Sequence, residues 1–360
     1  MEPSAHLFAP LTIRGVRFRN RIAVSPMSQY SSEDGFAGDW HLVHLGSRAV
    51  GGAAAVIGEA AAVEARGRIS PYDLGIWKDE HIDGLARIAR FVKQQGAVPG
   101  IQLAHAGRKA STEAPWKGGG AIPPEAGGWQ TVAPSAIPFR PSDPVPAELS
   151  AAEIPGVIEA FARAARRARE AGFELLEIHA AHGYLLHQFL SPLSNRRRDE
   201  YGGSFDGRTR IVCEVASAVR AAWPEALPLF IRISATDWVD GGWNLDDSVQ
   251  LARRLRECGV DLVDCSSGGT SPDARIPAAP GYQIPFAERI RRESGILTGA
   301  VGLITDAEQA DAILRGGQAD LVLLAREFLR SPYWPLHAAR KLGREAEVPL
   351  PYLRGFPNQR

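Results

Sequence analysis

Eight short apolar runs alternate with helix-like stretches along 360 residues, no shift in composition divides them, and one run ends in His179-Ala180-Ala181-His182-Gly183-Tyr184. These observations predict an α/β protein folded as one closed (β/α)8 TIM barrel over residues 1–360, with polar chemistry gathered at the C-terminal ends of its strands. The runs lie at 22–24, 54–57, 98–103, 175–179, 229–233, 262–265, 296–301 and 321–325. A doubly wound sheet is the alternative, but no G-x-G-x-x-G follows the first strand.

The lead-in, residues 11–18, reads as a small hairpin closing the barrel bottom. Helical stretches fill the gaps between strands. Ser150-Ala151-Ala152-Glu153 and Thr305-Asp306-Ala307-Glu308 have the pattern of capping boxes, while Gly172, Gly259 and Gly316-Gly317 are helix stops. One segment breaks the rhythm. Residues 113–146, after the third strand, are dense in Pro and Gly and carry Trp116 and Trp129. A loop of this length, on the C-terminal side of a barrel strand, is expected to overhang the mouth as a lid.

Composition removes several functions. Hydrophobic residues make up 45% and charged residues 23%, an ordinary globular balance. Lys plus Arg and Asp plus Glu both total 41, so no basic field gathers nucleic acid or anionic membrane. The most apolar stretch, 49–62, is interrupted by Gly51, Gly52, Gly58 and Glu59 and is too short to span a bilayer. The N-terminus lacks a secretory pattern. Cys213, Cys258 and Cys265 form no C-x-x-C pair, which argues against a disulfide framework or iron–sulfur cluster and for a cytoplasmic setting.

The strand at 175–179 carries the chemistry. Its alternation puts Leu175, Glu177 and His179 on one face and Leu176, Ile178 and Ala180 on the other. The second face is apolar and suits a helix layer; the first holds a carboxylate and an imidazole. Gly183 allows the turn that brings His182 and Tyr184 beside His179. Two imidazoles and a phenol can hydrogen-bond a substrate oxygen and deliver a proton. His-x-x-His has no adjacent Cys, Asp or Glu to complete a ligand set, so no metal is expected.

Other strands add polar groups to the same mouth. Gln102 lies between Ile101 and Leu103. Arg232 and Ser234 share a strand face, where a buried guanidinium must either pair with Glu177 or meet a ligand atom that gains negative charge. Gly299-Ala300-Val301-Gly302 and Ala325-Arg326 end the last two strands, where barrels commonly hold phosphate. A phosphorylated isoalloxazine accounts for the whole set.

These residues resemble the Old Yellow Enzyme family of flavin-dependent ene-reductases, in its thermophilic-like bacterial branch. The resemblance rests on Asn20-Arg21-Ile22, Ser25-Pro26-Met27, Gly58-Glu59-Ala60, and Gln102-Leu103-Ala104-His105-Ala106-Gly107-Arg108-Lys109. It continues through the His179 to Tyr184 motif, Ser191-Pro192-Leu193-Ser194-Asn195, Asp199-Glu200-Tyr201-Gly202-Gly203-Ser204, and Gly299 to Gly302. It implies FMN held by Ser25, Pro26, Met27, Ser28, Ala60, Gln102, Arg232, Gly302, Ala325 and Arg326. It also implies NADPH or NADH as donor, and reduction of a C=C bond conjugated to a carbonyl or nitro group. His179 and His182 would grip the substrate oxygen, flavin N5 would pass hydride to the β-carbon, and Tyr184 would protonate the α-carbon. Tyr30 and Arg354 match substrate-binding positions. The arginine, in the tail at 351–360, tends in this branch to reach a neighbouring subunit of a homodimer or homotetramer. Two positions depart from the pattern: Ser28 stands where cysteine is typical, and Ala325 where glycine is common.

Three other functions fit these residues less well. A dienoyl-CoA reductase adds iron–sulfur cysteines and further domains, and a tRNA dihydrouridine synthase would show an RNA footprint. A flavin-binding barrel without catalysis, serving as sensor or scaffold, has no need of the intact His179, His182 and Tyr184.

Overall fold

Leu11–Ile13 (β1) and Val16–Phe18 (β2) pair as an antiparallel hairpin and stopper the bottom of a barrel. The computed structural model describes residues 6–356; the N-terminal residues 1–5, read above as non-secretory, and residues 357–360 of the tail lie outside the described residues. Ile13, Val16 and Phe18 point into a cluster with Ala23, Ile57, Leu175, Phe230, Leu262 and Leu323, and the Phe18 and Phe230 rings stack at 6.3 Å. Each such buried aromatic contributes about 1.5–3 kcal/mol of transfer free energy, so the lower interior is filled by side chains and not by solvent.

The barrel strands follow as β3 (Ile22–Val24), β4 (Ala55–Ala62) and β5 (Val98–Ala104). A two-residue pair, β6 (Val132–Ala133) and β7 (Ala147–Glu148), forms a separate sheet. Then come β8 (Leu175–Ala180), β9 (Leu229–Ser234), β10 (Leu262–Ser266), β11 (Leu297–Ala300) and β12 (Leu321–Leu324). Eight strands, all but β1, β2, β6 and β7, close in parallel, with β12 returning to β3. Every expected strand is present, and closure replaces the doubly wound alternative. The strand faces divide as alternation requires: Leu176, Ile178 and Ala180 join the core under the helices, whereas Leu175 faces the interior.

The helix layer comprises α1 (Asp39–Val50), α2 (Ile82–Gln94), α3 (Ile154–Glu170), α4 (Leu185–Leu190), α5 (Phe205–Ala222) and α6 (Leu245–Glu257). It ends with α7 (Ile284–Ser294), α8 (Ala307–Arg315), α9 (Arg326–Arg330) and α10 (Trp334–Lys341). Gly172, Gly259 and Gly317 follow α3, α6 and α8 with φ of 85°, 85° and 66°, as the stop signals require.

Both expected capping boxes are corrected. At α8 the cap is Asp306, not Thr305; its carboxylate accepts from Glu308 N at 3.0 Å and Gln309 N at 3.2 Å. A carboxylate is a stronger acceptor than a hydroxyl at the positive end of a helix. At α3, Glu153 does reach back to Ser150 N at 2.8 Å, but the Ser150 hydroxyl donates to the same carboxylate and the helix starts only at Ile154. Pro155, favoured in a first turn, places the start there.

Among the described residues no helix is long and apolar enough to cross a membrane.

Candidate active site

The register of the barrel places the polar layer above the apolar one. Ala60 lies beside Gln102, Gln102 beside Glu177, His179 beside Arg232, and Arg232 beside Asp264. A bulge between Gly58 and Ala60 makes the first of these pairings possible. It turns Glu59 out to His41, 3.2 Å away, and to the amide of Gln29 at 2.8 Å. Glu59 thus ties down the segment that carries Ser25 to Tyr30.

His179, His182 and Tyr184 come together at the end of β8. His182 has φ 58° and Gly183 has φ 72°, so the chain reverses in two left-handed residues. A Cβ on Gly183 would stand 2.0 Å from the Gly269 carbonyl, which only glycine avoids. The His179 and His182 rings lie 5.1 Å apart and edge-to-face, and Tyr184 is 5.0 Å from His179. His179 Nδ1 accepts from Ala181 N at 3.3 Å, leaving Nε2 to carry the proton. His182 Nε2 meets the Ser266 hydroxyl at 2.6 Å, and its backbone N–H donates to Ser234 Oγ at 2.9 Å. Burial, reinforced by the Arg232 charge, holds both imidazoles well below the usual histidine range. Both are neutral at pH 7, each with one N–H to donate. Burial, then Tyr30 and Asp73, pushes the Tyr184 phenol above its ordinary value, so it keeps its proton. Burial likewise raises Tyr30 to about 12, against a hydrogen bond from Ser28 that lowers it.

Sequence reasoning gave no role to several groups here. Lys109 donates to the carbonyls of His182 at 2.8 Å and Gly269 at 3.1 Å, clamping two loops. Behind the turn, Gly183 N donates to His187 Nδ1 at 2.9 Å, and His187 Nε2 lies 3.0 Å from Asp237. Asp264 is the third. Arg232 does not pair with Glu177: its Nε lies 3.2 Å from Asp264 Oδ2, and its Nη1 donates to Ser25 Oγ at 2.9 Å. Glu177 accepts from Gln102 Nε2 at 2.8 Å instead. The signal for Asp264 was present, since one alternation step in Leu262-Val263-Asp264-Cys265 puts a carboxylate on the interior face.

At the last two strands, Arg232, Ser266, Gln283, Gly302, Ala325 and Arg326 line one cavity. Gly302 has φ 125°, which favours glycine, and the Gln283 side chain, 3.0 Å from where a Cβ would sit, leaves no room for one. Ala325 has φ −111°, so no positive φ at this position calls for glycine. Pro26 and Met27 join Ser25 to Ser28, and Met27 packs on the core.

Residues 113–146 do lie beside the site. Trp116 meets the Tyr30 ring edge-on at 5.5 Å, and Trp129, Phe139 and Arg140 line a cavity with Lys109 and Tyr184. Arg108 anchors the segment through the carbonyls of Ile137 and Pro138 at 3.2 and 3.3 Å. Arg354 is exposed in a final 3-10 turn, Leu350–Gly355, and lines neither mouth cavity of its own chain.

The sequence profile of the NADH:flavin oxidoreductase / NADH oxidase family matches residues 6–345. The chain belongs to this family, as one of its Old Yellow Enzyme-type members. It is 53% identical over 352 residues to the NADPH dehydrogenase of Geobacillus sp. (strain WCH70), covering 97% of this chain and 98% of the relative. The fold matches a morphinone reductase in complex with tetrahydroNAD at a TM-score of 0.78 and 29% identity, over 96% of this chain and 93% of that one. It matches an old yellow enzyme homologue from Zymomonas mobilis at 0.78 and 25% identity, over 96% and 95%. The protein is an NAD(P)H-dependent oxidoreductase with FMN as cofactor. The residues fit that group: an interior guanidinium and amide suit the polar edge of its ring, and the cavity lined by Gly302 and Arg326 suits its phosphate.

Gly183→Ala is expected to lower unfolding free energy by at least about 1 kcal/mol, since the new methyl meets a carbonyl and the backbone is left-handed. Denaturant unfolding measures it, and an unchanged midpoint together with unchanged activity would contradict the steric account of the turn.

Proposed function

We propose that the enzyme reduces the C=C bond of α,β-unsaturated carbonyl or nitro compounds. The observation that carries this reading is the pair of neutral imidazoles 5.1 Å apart with a protonated phenol 5.0 Å from one of them. FMN, where bound, would supply the hydride chemistry that links NADPH or NADH to the β-carbon of the alkene. His179 and His182 donate N–H groups to the substrate oxygen and stabilise the negative charge that develops there. Tyr184 holds the proton that goes to the α-carbon. Ser25, Pro26, Met27, Ser28, Ala60, Gln102, Arg232, Gly302, Ala325 and Arg326 hold FMN in this assignment. Tyr30 contributes to the substrate pocket, and the segment at 113–146 acts as its lid by excluding water above Tyr184.

Anaerobic addition of NADPH and then 2-cyclohexenone tests the whole reading. A yellow protein that bleaches with NADPH and recovers with the enone is expected; one that never bleaches is a flavin-binding barrel without turnover. Tyr184→Phe should keep bleaching by NADPH but slow recovery by about 10²-fold or more. Wild-type recovery should not weaken by phenol ionisation as pH rises toward 10, because the Tyr184 proton is held above its ordinary value. Recovery that fails below that pH through loss of the phenol proton would remove Tyr184 as the acid.

Ser28 bonds Tyr30 and occupies the position that the resemblance gives to a flavin-contacting thiol. Ser28→Cys is expected to keep activity and move the flavin midpoint potential, read by spectroelectrochemistry; an unmoved potential would take Ser28 out of the cofactor site.

The exposure of Arg354 in its own chain supports a role in a neighbouring copy's site within a homo-oligomer. Truncation after Leu353 is expected to raise KM for the enone more than it lowers kcat. If KM held steady, Arg354 would have no place in substrate binding.

A further inference from the structure

The upper barrel interior holds more acid than base. Glu177 on β8 and Asp264 on β10 are fully buried, and Arg232 on β9 stands between their strands. Of the four carboxylate oxygens, Gln102 serves Glu177 Oε1, and the other three receive no hydrogen bond. Arg232 Nε approaches Asp264 Oδ2 to 3.2 Å but is out of line for a hydrogen bond, while Nη1 is committed to Ser25. The remaining neighbours bring no second cation: β5 brings the Gln102 amide, β8 the neutral His179, β3 leads to Ser25, and β11 brings Gly299 beside Asp264. On β4, Glu59 is turned away to His41. Two ionised carboxylates facing one guanidinium in this setting leave one buried negative charge unpaired, which is costly, and one proton removes it.

We propose that Glu177 and Asp264 share one proton at neutral pH, and that this carboxyl pair takes up a second proton when negative charge develops at Arg232 on reduction of the cofactor. The second half rests on Arg232 facing the bound FMN, as in the proposed function. The balance is simple. The donor's hydride ends on the cofactor, the oxidised nicotinamide leaves, and one proton from water ends on the second carboxylate. Net charge inside the barrel is then the same before and after, and reoxidation returns the proton to solvent. Burial pushes both carboxyls above the ordinary carboxylate range, joined at Glu177 by repulsion from Asp264, with Arg232 acting against it at each, as such sharing requires. Glu177 and Asp264 are positioning residues here: they act through Arg232.

The sign of the stability effect follows. A carboxyl raised in the folded state stabilises the fold below its unfolded value, and that contribution is lost as pH rises through the folded value. Glu177→Gln should therefore flatten the loss of stability from about pH 4.5 upward that is due to this pair.

Two measurements on the holoenzyme decide the matter. Infrared spectroscopy at neutral pH should show a protonated carboxyl band that is lost in both Asp264→Asn and Glu177→Gln, each close in shape to the residue it replaces. Anaerobic reduction by NADPH in weak buffer with a pH dye should take up about one proton per FMN in the wild type and close to none in either variant. Without the infrared band in the wild type, the shared proton is overturned. With the band present, equal uptake in wild type and variants overturns the coupling to Arg232. Unimpaired FMN binding by Arg232→Gln would instead overturn the placement of the cofactor, leaving the infrared result standing. Should one variant fail to fold, the other carries both measurements.

Discussion

A guanidinium in a protein interior must be neutralised, and much of the upper barrel is arranged around that requirement at Arg232. Its Nη1 reaches Ser25, just beyond β3, and its Nε faces Asp264 on β10. The same charge acts on His179 and His182, adding to burial in keeping both imidazoles neutral. Neutral imidazoles are N–H donors that still tolerate one another at 5.1 Å, which two imidazolium rings would not. The cation that suits an electron-rich cofactor thus also keeps the His179 and His182 pair neutral.

The barrel separates this polar layer from an apolar one by strand alternation and length alone. On β8, Leu175 sits low among Phe230 and Leu262, Glu177 one step higher, and His179 at the rim. The hairpin β1–β2 supplies Phe18 and Val16 from below, so the interior is solid up to the level where polar groups begin. Above the rim the chain uses left-handed backbone at His182 and Gly183, braced by Lys109, His187 and Gly269. That bracing is made of side chain to backbone bonds that tie in three other segments. The left-handed His182 is thereby held in a conformation a non-glycine residue rarely adopts.

Motifs that look functional divide once their contacts are known. In the stretch from Ser191 to Ser204, Asn195 donates to the carbonyls of Phe189 and Tyr201 at 2.8 Å, Arg197 binds the carbonyls of Pro134 and Leu149, and Ser204 caps α5. This stretch is a scaffold that fastens the segment at 113–146 to the end of α4. By contrast, the bland-looking Lys109 lines the mouth, and Asp264 faces Arg232 in the buried interior beneath it.

The order of strands, the bottom hairpin, the long excursion after β5 and the cluster at His179, His182 and Tyr184 were all legible in the sequence. Apolar alternation, glycine stops and spacing are local properties, and a barrel made of successive β–α units is built from local steps. What the tertiary structure decided were choices between partners of similar local merit. Asp306 over Thr305 at the start of α8 depends on which acceptor meets the free amides. Asp264 over Glu177 as the partner of Arg232 depends on register between neighbouring strands, which places Asp264 beside Arg232 and Glu177 beside Phe230. Spacing along a chain specifies which face a residue takes; closure of the barrel sets the height at which two faces meet, and only then is a buried charge assigned its counter-ion.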